Sequence, residues 1–211
     1  MQSNAGDDLN VFVEATTGLA ELLVASGKKD EGVKVLNDAG EARSSVRGLK
    51  DHFERIAKNY ELIGSEPTAM GQNDIAGKAI DLAEYKGKVL LIDFWATWCG
   101  PCMHELPNVI AAYEKYHSKG FEILGVSLDE DRAAFDKCIE EKKMSWRHHY
   151  DGNGWKNEIA QAYGVQSIPA TYLVGPDGKV LAVGLRGDKL DKELGRLLGK
   201  ALPASAPAKG K

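Results

Sequence analysis

Two cysteines separated by two residues have the most specific chemistry in this sequence. The segment Cys99-Gly100-Pro101-Cys102 follows an apolar run over residues 89–96. The run predicts a buried strand, and Pro101 suits the first turn of a helix because its missing N–H costs nothing there. The positive N-terminal end of a helix lowers the pKa of a thiol and favours the thiolate, which attacks disulfides. The sequence therefore predicts a strand-turn-helix site for redox chemistry.

Two other interpretations of the cysteine pair are structural. A zinc site of four ligands is a poor fit, because the only other cysteine is Cys138 and no histidine pair stands at ligand spacing. We therefore predict no metal. A buried, inert pair remains an alternative. Cys138 shares the apolar face of a predicted helix with Phe135 and Ile139, so we expect a buried, small apolar side chain, with a third redox thiol as the alternative.

The composition is that of an ordinary globular protein. The chain has 211 residues, of which 43% are apolar and 27% charged, enough for a full core and a smaller accessory unit. The net charge is −4, and lysines and glutamates are interspersed, so no basic field for nucleic acid exists. We predict no nucleic-acid partner.

Targeting signals are not evident in the sequence. No stretch has the length of an uncharged membrane span, since the best apolar run is interrupted by Asp93, so a membrane tether is expected only outside this chain. The segment Met1-Gln2-Ser3-Asn4 does not begin a signal peptide. Either the protein is cytosolic or a secretion signal has been removed.

The first third of the chain has helical spacing, and we assign residues 1–71 to an N-terminal helical region. Residues 1–8 are polar and expected to be loose. Apolar spacings of three and four predict helices over 9–24, 30–39 and 42–63. The third helix is expected to pack on the preceding two or on the neighbouring domain, with a dimer interface as the alternative.

From residue 72 onward, predicted strands and helices alternate. This order predicts a three-layer α/β domain over 72–200, followed by a disordered tail over 201–211 that is rich in Ala, Pro, Lys and Ser. The strands are predicted at 79–82, 88–95, 121–127, 145–150, 170–174 and 179–183, and the helices at 99–118, 130–143, 155–163 and 190–198.

Three motifs in this domain resemble a known family. They are Asp-Phe-Trp-Ala-Thr-Trp-Cys-Gly-Pro-Cys over residues 93–102, Ile168-Pro169 before a strand, and a Gly-Pro-Asp-Gly hairpin over 175–178. The combination resembles the thioredoxin superfamily, and more narrowly the TlpA/ResA-type thiol-disulfide oxidoreductases. The resemblance covers about the last two thirds of the chain. It implies a thioredoxin fold of α/β/α layers with a mixed sheet, an inserted helix and strand at about 129–154, and no cofactor.

The same resemblance implies roles for the residues around the cysteines. Cys99 would be the exposed nucleophile and Cys102 the resolving thiol, joined in the oxidised state by a disulfide. Pro169 matches a position that is cis in thioredoxin-fold proteins, and it would bring the backbone of Ile168 beside the sulfurs to pair with an extended substrate. Trp98 would cover the disulfide and offer an apolar contact to substrates. Gly100 and Pro101, between the cysteines, complete the expected substrate-binding surface.

Two acids near the cysteines are candidates for proton transfer. Asp93 interrupts an apolar strand, so its side chain must face either solvent or the interior behind the active site, where burial would raise its pKa and suit it to exchanging a proton with Cys102. The superfamily has an acid at this place. Glu105 matches a second acid of TlpA/ResA-type proteins, and the alternative is an ordinary surface charge near a helix N-terminus. Trp95 is expected to pack beneath the site.

The function implied by the resemblance is that of a thiol-disulfide oxidoreductase, most readily a protein disulfide reductase that uses an upstream thiol donor. The resemblance also implies a bacterial, extracytoplasmic setting, with maturation of c-type cytochromes or general, antioxidant thiol repair as duties. One alternative is a peroxiredoxin-like peroxidase, although such enzymes usually place Thr three residues before the reactive Cys, where this sequence has Ala96. Another is a binding module in which the helices hold a partner and the cysteines are only a local clip.

Overall fold

The computed structural model describes residues 5–199, so the predicted tail over 201–211 lies outside the described residues. The chain divides into two compact units between Ser65 and Glu66. The prediction of a loose start over residues 1–8 is wrong from Ala5 onward, because the first helix already begins there.

The described residues of the first unit, 5–65, form three helices, α1 (Ala5–Ala25), α2 (Lys29–Ala42) and α3 (Leu49–Glu61). The helix α2 packs against both of the others. Phe53 of α3 is fully buried, and its ring centroid lies 6.0 Å from that of Phe12 on α1. The prediction that the third helix packs on the preceding two is thereby confirmed.

The prediction of one continuous helix over 42–63 is wrong. The helix α2 ends at Ala42, residues 43–48 form turns, and α3 begins only at Leu49. The reason is Gly48, whose φ of 77° lies in the left-handed region that a right-handed helix cannot contain. Apolar spacing continues across this break, so periodicity alone does not reveal it.

The second unit is built on a five-stranded mixed sheet in the order β3-β2-β1-β4-β5. Strand β1 pairs in parallel with β2 and antiparallel with β4. Every residue of β1 is buried, as expected of a central strand covered on both faces. The strands are β1 (Val89–Trp95), β2 (Phe121–Ser127), β3 (Arg147–Tyr150), β4 (Ala170–Val174) and β5 (Val180–Val183).

Up to residue 199, the second unit also contains four α-helices, α4 (Gly100–Tyr116), α5 (Arg132–Glu141), α6 (Glu158–Ala162) and α7 (Gly187–Leu198). The helix α5 and the strand β3 lie within residues 129–154, where the family resemblance implies an inserted helix and strand. The predicted helix over 155–163 is shorter, because the side chain of Asn157 accepts a hydrogen bond from the N–H of Ala160 and so begins α6 after a 3₁₀ turn over Gly154–Lys156. None of the helices in the described range is long and apolar enough to span a bilayer.

The predicted strand over 79–82 is wrong. Ala79 forms only an isolated bridge with Asn73. A 3₁₀ turn over Leu82–Tyr85 follows, and the carboxylate of Asp81 accepts a hydrogen bond from the N–H of Ala83 at its start. Asp is a strong turn initiator, and here that local hydrogen bond replaces strand pairing.

Candidate active site

The two cysteines lie where the central strand leads into helix α4. Cys99 is the N-cap residue of α4, and its Sγ accepts a hydrogen bond from the backbone N–H of Cys102 over 3.2 Å. Pro101 lies in the first turn. The sulfurs of Cys99 and Cys102 are bonded at 2.00 Å. The predicted strand-turn-helix arrangement is therefore present, with a closed disulfide at the positive end of the helix.

The expectation that Cys99 is exposed is wrong for this oxidised state, since only 5% of the residue is accessible. Its Sγ is bonded to Cys102 and lies 3.7 Å from the carbonyl oxygen of Ile168. A disulfide sulfur carries no proton, so this approach is a packing contact. The helix turn on one side and the loop before β4 on the other cover the sulfur.

The loop before β4 is held in place by the chain that leads into α7. The peptide bond Ile168–Pro169 is cis, and the guanidinium of Arg186 donates a hydrogen bond to the carbonyl oxygen of Pro169. The hydroxyl of Thr171 donates to the carbonyl oxygen of Leu185 over 3.0 Å. Sequence reasoning missed Arg186. Its hydrogen bond spans 17 residues, and a lone basic residue before a helix carries no local signal of such a contact.

Asp93 is buried behind the disulfide. The pKa of its carboxyl group is raised to about 7, because burial and then the charge of Glu105 raise it more than the charge of Arg186 lowers it. A cavity of about 10 Å³ is lined by Asp93, Cys102, Glu105 and Pro169 together with three apolar side chains. This volume is at the lower limit for one water molecule. Two carboxyl groups thus share one small space with Cys102.

Glu105 is held at this site by hydrogen bonds. The backbone N–H of Gly187, the first residue of α7, donates to Oε1 of Glu105 over 2.6 Å. The side-chain amide of Asn108 donates to the other carboxylate oxygen over 3.0 Å. Glu105 is half-buried, so the alternative of an ordinary surface charge does not describe it. The side chain of Arg186, the N-cap residue of α7, accepts no hydrogen bond from the first turn of that helix. The carboxylate of Glu105 accepts one there instead and so acts as the cap.

Asp129 supports the loop that carries the active-site motif, and sequence reasoning missed this role. Its buried carboxylate accepts hydrogen bonds from the backbone N–H of Thr97 at 3.0 and 3.1 Å and from the Thr97 hydroxyl at 2.5 Å. The Ser127 hydroxyl donates to it over 2.8 Å. A sequence signal for this role existed, because Asp129 is a charged residue just after the apolar strand β2. Since β2 runs parallel to β1, both strands end at the same edge of the sheet, where the active-site loop begins.

Two tryptophans next to the site are exposed. Trp98 is 53% accessible and Trp155 is 47% accessible, and their ring centroids lie 6.0 Å apart. Gly100 and Pro101 are also exposed. Trp95 is buried and packs against Phe135, as predicted. Sequence reasoning did not single out Trp155.

The third cysteine is separate from this site. Cys138 is a free thiol on α5, only 8% accessible, and burial, followed by the charge of Asp129, raises its pKa. A buried thiol of raised pKa is a poor nucleophile. Within residues 5–199, no three His, Cys, Asp or Glu side chains are grouped so as to hold a metal ion.

Comparison with known sequences places these features in a family. Residues 57–183 match the AhpC/TSA family. Thiol-disulfide oxidoreductase ResA of Bacillus thuringiensis subsp. konkukian is 34% identical over 141 residues, which cover 67% of this chain and 79% of that protein.

Solved structures agree with the sequence comparison. The thioredoxin domain of a thiol-disulfide oxidoreductase from Bacteroides vulgatus is 33% identical, with a TM-score of 0.58, and the match covers 64% of this chain and 97% of that one. The C-terminal domain of a putative thiol-disulfide oxidoreductase from Bacteroides thetaiotaomicron is 31% identical, with a TM-score of 0.60, over 66% of this chain and 97% of that one. The second unit has the thioredoxin fold, and the chain belongs to the AhpC/TSA family and, within the thioredoxin superfamily, to the thiol-disulfide oxidoreductases of TlpA/ResA type.

Proposed function

We propose that this protein reduces disulfide bonds of other proteins by exchange through Cys99 and Cys102. The observation that carries the proposal is the closed Cys99–Cys102 disulfide at the start of α4, where the backbone N–H of Cys102 points at the Cys99 sulfur. In the reduced protein the same N–H and the positive helix end stabilise a thiolate on Cys99.

The reaction has two exchange steps. The Cys99 thiolate attacks one sulfur of the substrate disulfide, whose S–S bond breaks, and a mixed disulfide and a substrate thiolate result. The Cys102 thiolate then attacks Cys99 Sγ, which breaks the mixed disulfide and closes the Cys99–Cys102 bond. The substrate gains two electrons and two protons. The three-residue spacing serves the second step, because the two sulfurs reach bonding distance across one helix turn.

Asp93 supplies the proton acceptor for the second step. Cys102 must lose its proton before it attacks, and Asp93 lines the same cavity with a pKa of about 7. A base with a pKa close to the working pH accepts and returns a proton readily. Glu105 acts on this step through its charge, which raises the pKa of Asp93.

The substrate's chain binds along the loop before β4. The backbone of Ile168 lies beside the Cys99 sulfur and presents groups that an extended peptide can pair with. The exposed Gly100 and Pro101 leave the opposite side of the disulfide open.

A peroxidase reaction is less well supported. The threonine nearest the first cysteine is Thr97, and its hydroxyl donates to Asp129, so it does not serve as a hydrogen-bonding group for a peroxide at Cys99. Peroxide consumption that persists in Cys102→Ser would support the peroxidase. Equal partner binding by the native protein and a Cys99→Ser, Cys102→Ser double variant, without any reductase activity, would support the binding module.

The setting of the reaction is also a proposal. The family resemblance supports an extracytoplasmic location, a thiol donor that restores the reduced cysteines, and duties in thiol repair or in the maturation of c-type cytochromes. Self-association through the N-terminal helices stays a prediction, which a measurement of the mass in solution decides.

A trapping experiment tests the reductase. In a Cys138→Ser background, Cys102→Ser should accumulate a mixed disulfide between Cys99 and a disulfide-bonded protein such as insulin, seen by mass spectrometry. The matched Cys99→Ser variant should capture nothing, because Cys102 is the resolving thiol. Equal capture by both variants, or capture by neither, contradicts the proposed division of roles.

A further inference from the structure

Trp155 forms one exposed apolar surface with Trp98 beside the disulfide. Among the described residues of the second unit, only three large apolar side chains are exposed, namely Ile75, Trp98 and Trp155. Two of these three are in contact with each other, and Trp98 directly precedes the first cysteine. Roughly half of the surface of each of these two residues is open to solvent. Exposed aromatic clusters of this kind mark interaction surfaces.

The two rings are held by neighbouring residues of one loop. Asp129 fixes Thr97, the residue before Trp98, by three hydrogen bonds. The next residue, Glu130, accepts a hydrogen bond from the hydroxyl of Tyr150 at its carbonyl oxygen. The end of β3, from which the chain leads into the turn that carries Trp155, is therefore bound to the same loop that supports Trp98.

Gly154 shows how closely the Trp155 turn is packed against Glu130. Its φ is 56°, and a Cβ placed there would come within 2.7 Å of a Glu130 carboxylate oxygen. The turn continues with a hydrogen bond from the N–H of Asn157 to the carbonyl oxygen of Gly154 over 3.0 Å. The backbone that carries both tryptophans is thus held by packing and hydrogen bonds, so that little backbone freedom is lost on binding.

The occupant of this surface follows from its position. A substrate must bring one sulfur to Cys99, and an extended chain advances only about 3.3–3.6 Å per residue. A residue next to the substrate cysteine therefore reaches the rings of Trp98 and Trp155. Aliphatic and aromatic side chains gain most from covering exposed indole surface.

We infer that Trp155 is a specificity-determining residue that, with Trp98, selects protein disulfides whose cysteine is flanked by apolar residues. Such cysteines belong to segments that are exposed before a substrate has folded, since apolar neighbours of a cysteine are otherwise buried. This inference rests on the proposed reductase function and names its substrate class.

The test compares two disulfide-linked peptide dimers that differ only in the residues beside the cysteine, leucine in one and serine in the other. Bis(2-hydroxyethyl) disulfide serves as a small disulfide without neighbours. In a single turnover of the reduced native protein, we expect the second-order rate constant to be about tenfold higher with the leucine peptide than with the serine peptide, the gain from covering part of an indole ring. Trp155→Ala and Trp155→Gln should lose this preference, and Trp155→Phe should keep most of it.

The controls separate docking from catalysis. Ile75→Ala removes another exposed apolar side chain and should keep the full preference. The rate with bis(2-hydroxyethyl) disulfide should stay within about twofold in Ile75→Ala, and in the Trp155 variants it should fall much less than the rate with the leucine peptide, because that compound has no apolar side chain to cover the rings.

Three results would overturn the inference: an equal rate of the native protein with both peptides, an undiminished preference in both Trp155→Ala and Trp155→Gln, or a parallel loss with the small disulfide. Reduction of none of the three disulfides by the native protein would instead contradict the proposed function itself.

Discussion

The backbone N–H of Gly187 donates a 2.6 Å hydrogen bond to Oε1 of Glu105, and this bond connects the start of α7 to the active-site helix. The same carboxylate raises the pKa of Asp93. Glu105 therefore has a structural and an electrostatic effect, and two substitutions separate them.

Glu105→Gln should keep the acceptor for Gly187 and remove the charge. We expect the pKa of Asp93 to fall below about 7, and the free energy of unfolding near neutral pH to rise accordingly, because a less raised pKa costs less stability. Glu105→Ala should lower the pKa in the same direction and also cost about 1 kcal/mol, because the N–H at the start of α7 loses its acceptor. Carbon-13 NMR titration of the Asp93 carboxyl and chemical denaturation measure the two effects. Glu114→Gln, an exposed charge on the same helix, is the control, and identical stability of the Gln and Ala variants would refute the capping role.

Arg186→Gln should shift the same titration in the opposite direction. The guanidinium lowers the pKa of Asp93, so its removal raises that pKa above about 7. A glutamine amide can still donate to the carbonyl oxygen of Pro169, which limits structural damage. Lys192→Gln removes an equal charge from the exposed face of α7 and should leave the titration unchanged. A downward shift in Arg186→Gln would contradict the assigned electrostatics.

Asp93→Asn should change how stability depends on pH. The native carboxyl holds its proton up to about pH 7, whereas the unfolded one loses it near 3.8, so the free energy of unfolding falls as the pH rises between these values. A change from 3.8 to about 7 corresponds to on the order of 4 kcal/mol. The Asn variant lacks this loss and should gain stability relative to the native protein from pH 4 to pH 8. Urea denaturation of both oxidised proteins across this range measures the difference in their free energies of unfolding. A difference that stays the same at every pH would contradict the prediction.

Asp129→Asn should loosen the loop before Cys99. An amide group cannot replace a carboxylate that accepts from both the N–H and the hydroxyl of Thr97 and from Ser127. We expect a loss of about 1–3 kcal/mol in the free energy of unfolding, and slower reduction of small disulfides. Thr97→Val removes only the hydroxyl and should cost about 1 kcal/mol. Denaturation and kinetics on both variants form the test, and a larger loss in Thr97→Val than in Asp129→Asn would show that Asp129 is not the support.

The reacting centre could be predicted from the sequence because its parts are neighbours along the chain. The apolar run, the two cysteines and Pro101 fall within one strand, turn and helix, so local rules place them. The burial of Asp93 was also predictable, since a single acid within an apolar strand has no solvent to face when the strand is central. Among the predicted elements, the errors at Gly48, Asp81 and Asn157 arose where a turn or a helix cap ended, replaced or shortened a regular element, and residues 5–8 are helical although a loose segment was expected.

The support around the centre was not predictable in the same way. Arg186 binds Pro169, 17 positions away, and Asp129 binds Thr97, 32 positions away. These partners come within hydrogen-bond distance only when the sheet has formed. Trp155 lies among glycine and other turn residues, which gives no sign of a functional contact. It contacts Trp98 because the loop that follows β2 lies next to both of their backbone segments. Composition and periodicity describe single elements, so they contain no information on which loops meet at one edge of a sheet.

Cys138 lies on α5 apart from the disulfide, so its free thiol is present in both redox states and serves as an internal standard in a thiol titration. Of the three cysteines in the sequence, two are joined and one is buried as a free thiol. Oxidised protein opened in denaturant should therefore titrate as one thiol per chain, and fully reduced protein as three. The number of thiols in a denatured sample, divided by the number after full reduction of the same sample, is one third when every chain is oxidised and one when every chain is reduced. This ratio gives the oxidised fraction without a separate measurement of protein concentration.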